Sequence, residues 1–230
     1  MKFTKQNDNT ILPIDPEVRS RPWTSVFGLA AVGLYVILTA VAILLFPAPV
    51  SPVDIYLSQL GNANYSPDGA LFYDLAVILG GLSLVLFSIT LYRHYEDWSP
   101  KWLRWIALCA GVVNGVAVLM SGVFAEHVDM DVHTSWSYLI FFSLIPLLLV
   151  YSVVFWKMAG GSEGISLVGF AVCAVDIFFL TTILSGGLDP GLGSLMEWFS
   201  VFSYLLWITL VSLDVLKWYS CEFPKSRAGF

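Results

Sequence analysis

Residues 139–154 read LIFFSLIPLLLVYSVV. An outer-membrane strand would alternate apolar and polar side chains, whereas this run is apolar on every side. With no water to satisfy exposed backbone groups, such a run must close its hydrogen bonds internally, as a helix. Working outward, five more runs of about 20 residues are apolar enough to cross a hydrocarbon core of about 30 Å. The six lie near 24–46, 70–92, 102–124, 135–157, 165–185 and 195–218. Composition agrees, since 57% of the 230 residues are hydrophobic and 12% charged, against roughly 25% charged in soluble domains. The expected fold is all-α: a polytopic six-transmembrane-helix bundle spanning 23–219, between polar tails at 1–22 and 220–230.

Charge sets the expected orientation. All eleven Lys and Arg fall in the tails, in the second and fourth connections, or at their edges: Lys2, Lys5, Arg19, Arg21, Arg93, Lys101, Arg104, Lys157, Lys217, Lys225 and Arg227. Connections one, three and five hold none. The positive-inside rule then places both termini in the cytoplasm and the protein in the cell membrane. Trp23, Trp98, Trp102, Trp105, Trp156 and Trp218 mark the inner interface, and Trp136 and Trp198 the outer one. The N-terminal stretch is polar and holds Pro13, Pro16 and Pro22, so it reads as a tail before a signal-anchor helix, not a cleavable signal peptide. A net charge of −6 argues against a nucleic-acid partner. Cys109, Cys173 and Cys221 are placed in helices or at the inner end, where no disulfide framework is expected.

The exterior connections carry helix signals. Ser51-Pro52-Val53-Asp54 opens a short interfacial helix that Gly61 stops, with Ile55, Tyr56, Leu57 and Leu60 lying on the membrane. Ser66-Pro67-Asp68-Gly69 opens the second span, and Ser194 to Glu197 forms a capping box for the sixth. Asp189-Pro190 reads as a turn.

The densest polar cluster is Glu126-His127-Val128-Asp129-Met130-Asp131-Val132-His133. Two imidazoles and three carboxylates suit acid–base work, with His133, His127, Glu126, Asp131, Glu197 and Asp74 as catalytic candidates. His127, His133, Asp129 and Asp131 could ligate a divalent metal, zinc or a harder cation. Against both stands a solvated loop whose acids cap the fourth helix. Spans two, four and six start at the exterior face with Asp74, His133 and Glu197 near their starts. One mouth combining them with three positive helix ends would bind an anionic head group through protonated His133. Deeper in, Asn114 and Asp176 sit at mid-span, where a polar clasp is the economical arrangement, either with each other or with a Ser or Thr. Gly80-Gly81 and Gly111 with Gly115 favour close helix packing, and Pro146 a kink.

Ser58-Gln-Leu-Gly61-Asn62, then Pro67, Phe72-Tyr-Asp74 and Gly80-Gly81, resembles the start of the family catalogued as domain of unknown function 998. Gly122-Val-Phe124, His133 and Phe141-Phe142 resemble its next block, and Glu197 matches an acid heading the last span. The similarity covers about residues 25–218. Relatives often carry Asn where this chain has Asp74. The resemblance implies six spans and, through a distant similarity to the Frag/DRAM/Sfk membrane proteins, a role with membrane lipids as partners. The expected function is handling of a lipid or lipid-linked molecule at the outer leaflet, with a hydrolase- or transferase-like site. The alternatives are a scaffold or sensor binding through its exterior loops, and a solute or ion transporter resting on Asn114 and Asp176. Transport has the least support, because the spans hold no paired Gly/Pro interruptions.

Overall fold

A computed structural model describes residues 22–95, 99–158, 162–186 and 189–227, with side chains described as far as Ser220. The polar tail before Pro22, Trp98 and the side chain of Cys221 lie outside the described residues. Six helices are long and apolar enough to cross a membrane: α1 (Trp23–Leu44), α2 (Ala70–His94), α3 (Lys101–Val123), α4 (Met130–Lys157), α5 (Glu163–Leu184) and α6 (Pro190–Arg227). No strand occurs among the described residues.

Each helix packs on the next in sequence, and α6 returns to pack on α1, so the six form a closed ring. Arg93, Lys101, Arg104 and Lys157 occupy the helix ends at one face, here called the basic face, and Lys217 lies toward it on α6. The connections 45–69 and 124–129, with residues 185, 186 and 189, lie at the other, the loop face. The half of the ring toward the basic face is filled with side chains. Phe87, Leu91, Leu147, Phe155, Trp207 and Val211 are all fully buried there. Two hydroxyls clasp neighbouring helices in this half, Ser25 donating to the Ser212 carbonyl at 2.7 Å and Ser166 to the Ser152 carbonyl at 2.6 Å. Helices α2 and α3 approach closely where Gly81 meets Gly115 and Leu119. In lipid, where burial gives little drive between helices, such close packing supplies much of the cohesion.

Two helix starts differ from expectation. Helix α4 begins at Met130, because the Asp129 carboxylate accepts from the Val132 N–H at 3.1 Å and caps it. Helix α6 begins at Pro190, with Asp189 Oδ2 accepting from the Gly191 N–H at 3.1 Å. Ser194 therefore caps nothing; its hydroxyl donates back to the Gly191 carbonyl. Glu197 is left about 10 Å inside the helix, at 1.5 Å per residue. Asp189-Pro190 is a helix start and not a free turn.

The first connection also differs. Residues 51–55 make one turn, closed by the Asp54 and Ile55 N–H groups on the Ser51 carbonyl, and a 3₁₀ helix covers only Leu57–Gly61. Leu57 and Leu60 are fully buried. This segment is not laid on a membrane surface. Its two leucines pack into the mouth of the bundle, where protein replaces lipid as the apolar partner.

Candidate functional site

The loop-face half of the ring is not filled. A cleft is lined by α1, α2, α3, α4, α6 and Ser58 of the 3₁₀ segment. Asp74, His133 and Glu197 all line it. Below them the wall turns apolar, ending near Leu84, Leu144 and Leu205. From Asp74 to Leu84 the cleft runs about 15 Å along α2, at 1.5 Å per residue.

Glu197 owes its position to the early start of α6. Freed from capping, its Oε2 accepts from the Leu57 N–H at 2.9 Å, and the Ser58 backbone and hydroxyl also interact with this carboxylate. Glu126 takes the other side of the same segment: Oε1 accepts from Ser58 Oγ at 2.8 Å and Oε2 from Asn62 Nδ2 at 3.2 Å. Trp198 adds a third tie, its Nε1–H donating to the Ile55 carbonyl at 3.0 Å. At Gly61 an added Cβ would collide with Asp74 Oδ1 and come within 2.8 Å of the Tyr73 ring, so only glycine lets the segment sit this close. Ser58 and Asn62 thus tie the segment to Glu126, and Gly61 lets it approach Asp74, both acids that the sequence offered as catalytic candidates. Removing the Glu197 carboxylate leaves the Leu57 N–H unpaired, at a cost of about 1–3 kcal/mol. Glu197→Ala is therefore expected to expose position 57 to thiol reagents in a Leu57→Cys background. If labelling stays as slow as with Glu197 present, the carboxylate does not seat the segment.

His133 is buried, and its Nδ1 lies 3.0 Å from both the Ser121 and the Phe124 carbonyl oxygens. Carbonyls only accept, so Nδ1 carries the hydrogen and Nε2 of the neutral ring is an acceptor. Among the described residues no hydrogen bond joins His133 to Asp74 or Glu197. The rest of the acidic–imidazole cluster does not converge on it. His127 is exposed and its Nδ1 accepts from the Ala63 N–H at 3.3 Å; Asp131 is exposed; Asp129 is the α4 cap. His127, His133, Asp129 and Asp131 are thereby spread over separate tasks. Among the described residues no three His, Cys, Asp or Glu side chains gather as a metal-holding group. Adjacent positions at a loop-to-helix junction point in different directions, which the short sequence spacing concealed.

The mid-span polar pair is two clasps, not one. Asn114 Nδ2 donates to the Ile140 carbonyl at 2.9 Å and to Ser143 Oγ at 3.3 Å, while Tyr204 OH donates to Asn114 Oδ1 at 3.2 Å. Asp176 is fully buried and takes the Ser200 hydroxyl on Oδ1. The two clasps meet α6 one turn apart, at Ser200 and Tyr204, and both of those side chains line the cleft. Tyr35 and Tyr73 line it too, with their hydroxyls 3.2 Å apart. Sequence reasoning passed over these three tyrosines and Ser200. A polar tip on an otherwise apolar span, within the half that faces the loops, is the signal that could have flagged them.

A family model described as protein of unknown function (DUF998) matches residues 29–214. That range takes in every residue placed in the cleft. No curated protein and no solved structure matches the chain.

Proposed function

The chain belongs to the DUF998 family, whose description assigns no reaction, and from that premise we propose a lipid-handling protein of the cell membrane. The loop face is the exterior one. The cleft takes one chain of a lipid or lipid-linked molecule from the outer leaflet and holds its head group at Glu197, His133 and Asp74. One observation carries this reading: a single cavity grades from a mouth bearing two carboxylates and an imidazole to an apolar floor about 15 Å down. An amphiphile has that same gradient, and ligand sites are concave, mostly apolar and marked by a few polar groups. His133 supplies the proton acceptor for a hydrolase- or transferase-like step, through Nε2.

Binding without chemistry is the second reading. It is favoured by the absence, among the described residues, of any hydroxyl or thiol hydrogen-bonded to His133. Mass spectrometry of lipids extracted from purified protein separates the two. One lipid class should be enriched over the bulk membrane, and His133→Ala should change its chemical form if His133 takes part in a reaction. Enrichment with no change of form supports binding alone. Extracts that match the bulk membrane overturn the lipid reading.

Orientation has its own test. In a background without native cysteines, an impermeant maleimide added outside cells should label Asn64→Cys and Asp129→Cys at once. Ser99→Cys and Ser162→Cys should react only after permeabilisation. Labelling of Ser99→Cys in intact cells reverses the topology.

A further inference from the structure

We propose that the head group this cleft selects is a cation, so that its ligand is a single-chain amphiphile ending in a primary amine or amino alcohol. This deepens the proposed function and rests on it.

Charge is the first ground. Asp74 and Glu197 line the cleft, Glu126 stands behind Ser58 at its rim, and no lysine or arginine among the described residues lines it. The described basic side chains Arg93, Lys101, Arg104, Lys157 and Lys217 lie toward the opposite face. A bare phosphate entering the mouth would meet two carboxylates with no countercharge, whereas an ammonium would offset them.

Hydrogen-bonding capacity is the second ground. The Nδ1–H of His133 is committed to two carbonyls, which leaves Nε2 of the neutral ring an acceptor. The Ser200 hydroxyl hydrogen is committed to Asp176, so what Ser200 offers the cleft is oxygen lone pairs. The Tyr204 hydrogen is committed to Asn114 in the same way. One hydroxyl hydrogen of the Tyr35–Tyr73 pair stays uncommitted as a donor, and with the carboxylates the acceptors outnumber it. An ammonium is three donors and no acceptor, the complement of that set; a phosphate brings only more acceptors.

Beneath this layer Asp176 has a second oxygen, Oδ2, that is buried without a hydrogen-bond partner. The apolar lower wall then accounts for the single alkyl chain.

The test uses the full chain in nanodiscs of zwitterionic lipid, with empty nanodiscs subtracted for partitioning. Dodecylamine, dodecanol and dodecyl phosphate are titrated in turn. The amine should bind at least about ten-fold more tightly than the other two, as charge pairing in a desolvated site implies. That preference should shrink to about two-fold or less in both Glu197→Gln and Asp74→Asn. Because Glu197 also seats Leu57, Asp74→Asn keeps the test usable if the first variant loosens the mouth. Equal binding of all three probes, or tighter phosphate, overturns the cation and leaves the lipid reading standing. A preference that survives both variants overturns the assignment to these carboxylates. If no probe binds beyond the empty nanodiscs, the cleft does not hold amphiphiles, and both readings fall.

Discussion

Gly81→Val is expected to destabilise the bundle by about 3 kcal/mol or more, above the usual range for overpacking, because backbone and not side chain must yield. A Cβ on Gly81 would collide with the Leu119 backbone nitrogen and come within 2.7 Å of the Gly115 carbonyl oxygen. The fit is reciprocal: a Cβ on Gly115 would sit 2.7 Å from the Val85 nitrogen and 2.9 Å from the Gly81 carbonyl. Neither helix can rotate a side chain out of the way, so α2 and α3 must separate. In a bilayer that separation forfeits the close packing holding the pair together. The control is Gly33→Ala, where nothing lies within 4 Å of the added Cβ. There alanine should be neutral or stabilising by up to about 1 kcal/mol through helix propensity alone. Melting of purified protein in one detergent compares the two directly. A Gly81→Val variant that melts with the Gly33→Ala control would show that α2 and α3 are not in this contact.

The Gly80-Gly81 pair shows what a sequence can and cannot disclose. Small residues in a span signal close packing, and Gly81 does pack closely. Gly80 instead lines the cleft, and nothing in the sequence says which of two adjacent glycines faces a helix and which faces a void. The six spans themselves were legible because about 20 apolar residues in lipid have one backbone solution. Their starts were less so. Asp189 followed by Pro190 carries the favoured cap and first-turn residues of a helix, yet the same pair reads equally well as a turn. A plausible box at Ser194 and Glu197 competed for the same end.

For the site, sequence placed Asp74, His133 and Glu197 near the same face, and the ring of helices puts them on one cleft. What it could not supply was the partner of each. His133 is fixed by carbonyls at the end of α3, and Glu197 and Glu126 are occupied by N–H and hydroxyl donors of the 3₁₀ segment. Backbone partners leave no signature in residue types. The two leucines of that segment gave the opposite difficulty, since apolar side chains on a loop bury equally well against lipid or protein. Only the packing of the bundle decides between them.

Gly80→Phe is expected to abolish ligand uptake while leaving the bundle assembled. An added Cβ at Gly80 would be 3.8 Å from Tyr35 Cδ2 and 4.0 Å from the Ala31 carbonyl oxygen, ordinary van der Waals distances. The position opens onto the cleft between the polar mouth and the floor at Leu84. A benzyl group there should fill the shaft that an alkyl chain would otherwise occupy. With the shaft filled, an alkyl chain could enter only by displacing the ring, so binding of any single-chain amphiphile should weaken by about 100-fold or more. Stability should move by less than about 1.5 kcal/mol, since the ring enters existing space and displaces no backbone. The measurement is paired: amphiphile binding in nanodiscs, and melting in detergent beside Gly81→Val. Loss of binding with a near-native melt places the alkyl chain in the shaft. If Gly80→Phe binds the same probe as tightly as the unsubstituted chain, the ligand lies elsewhere on the protein. If it melts as early as Gly81→Val, the space beside Gly80 is not open, and the cleft does not extend past the mouth.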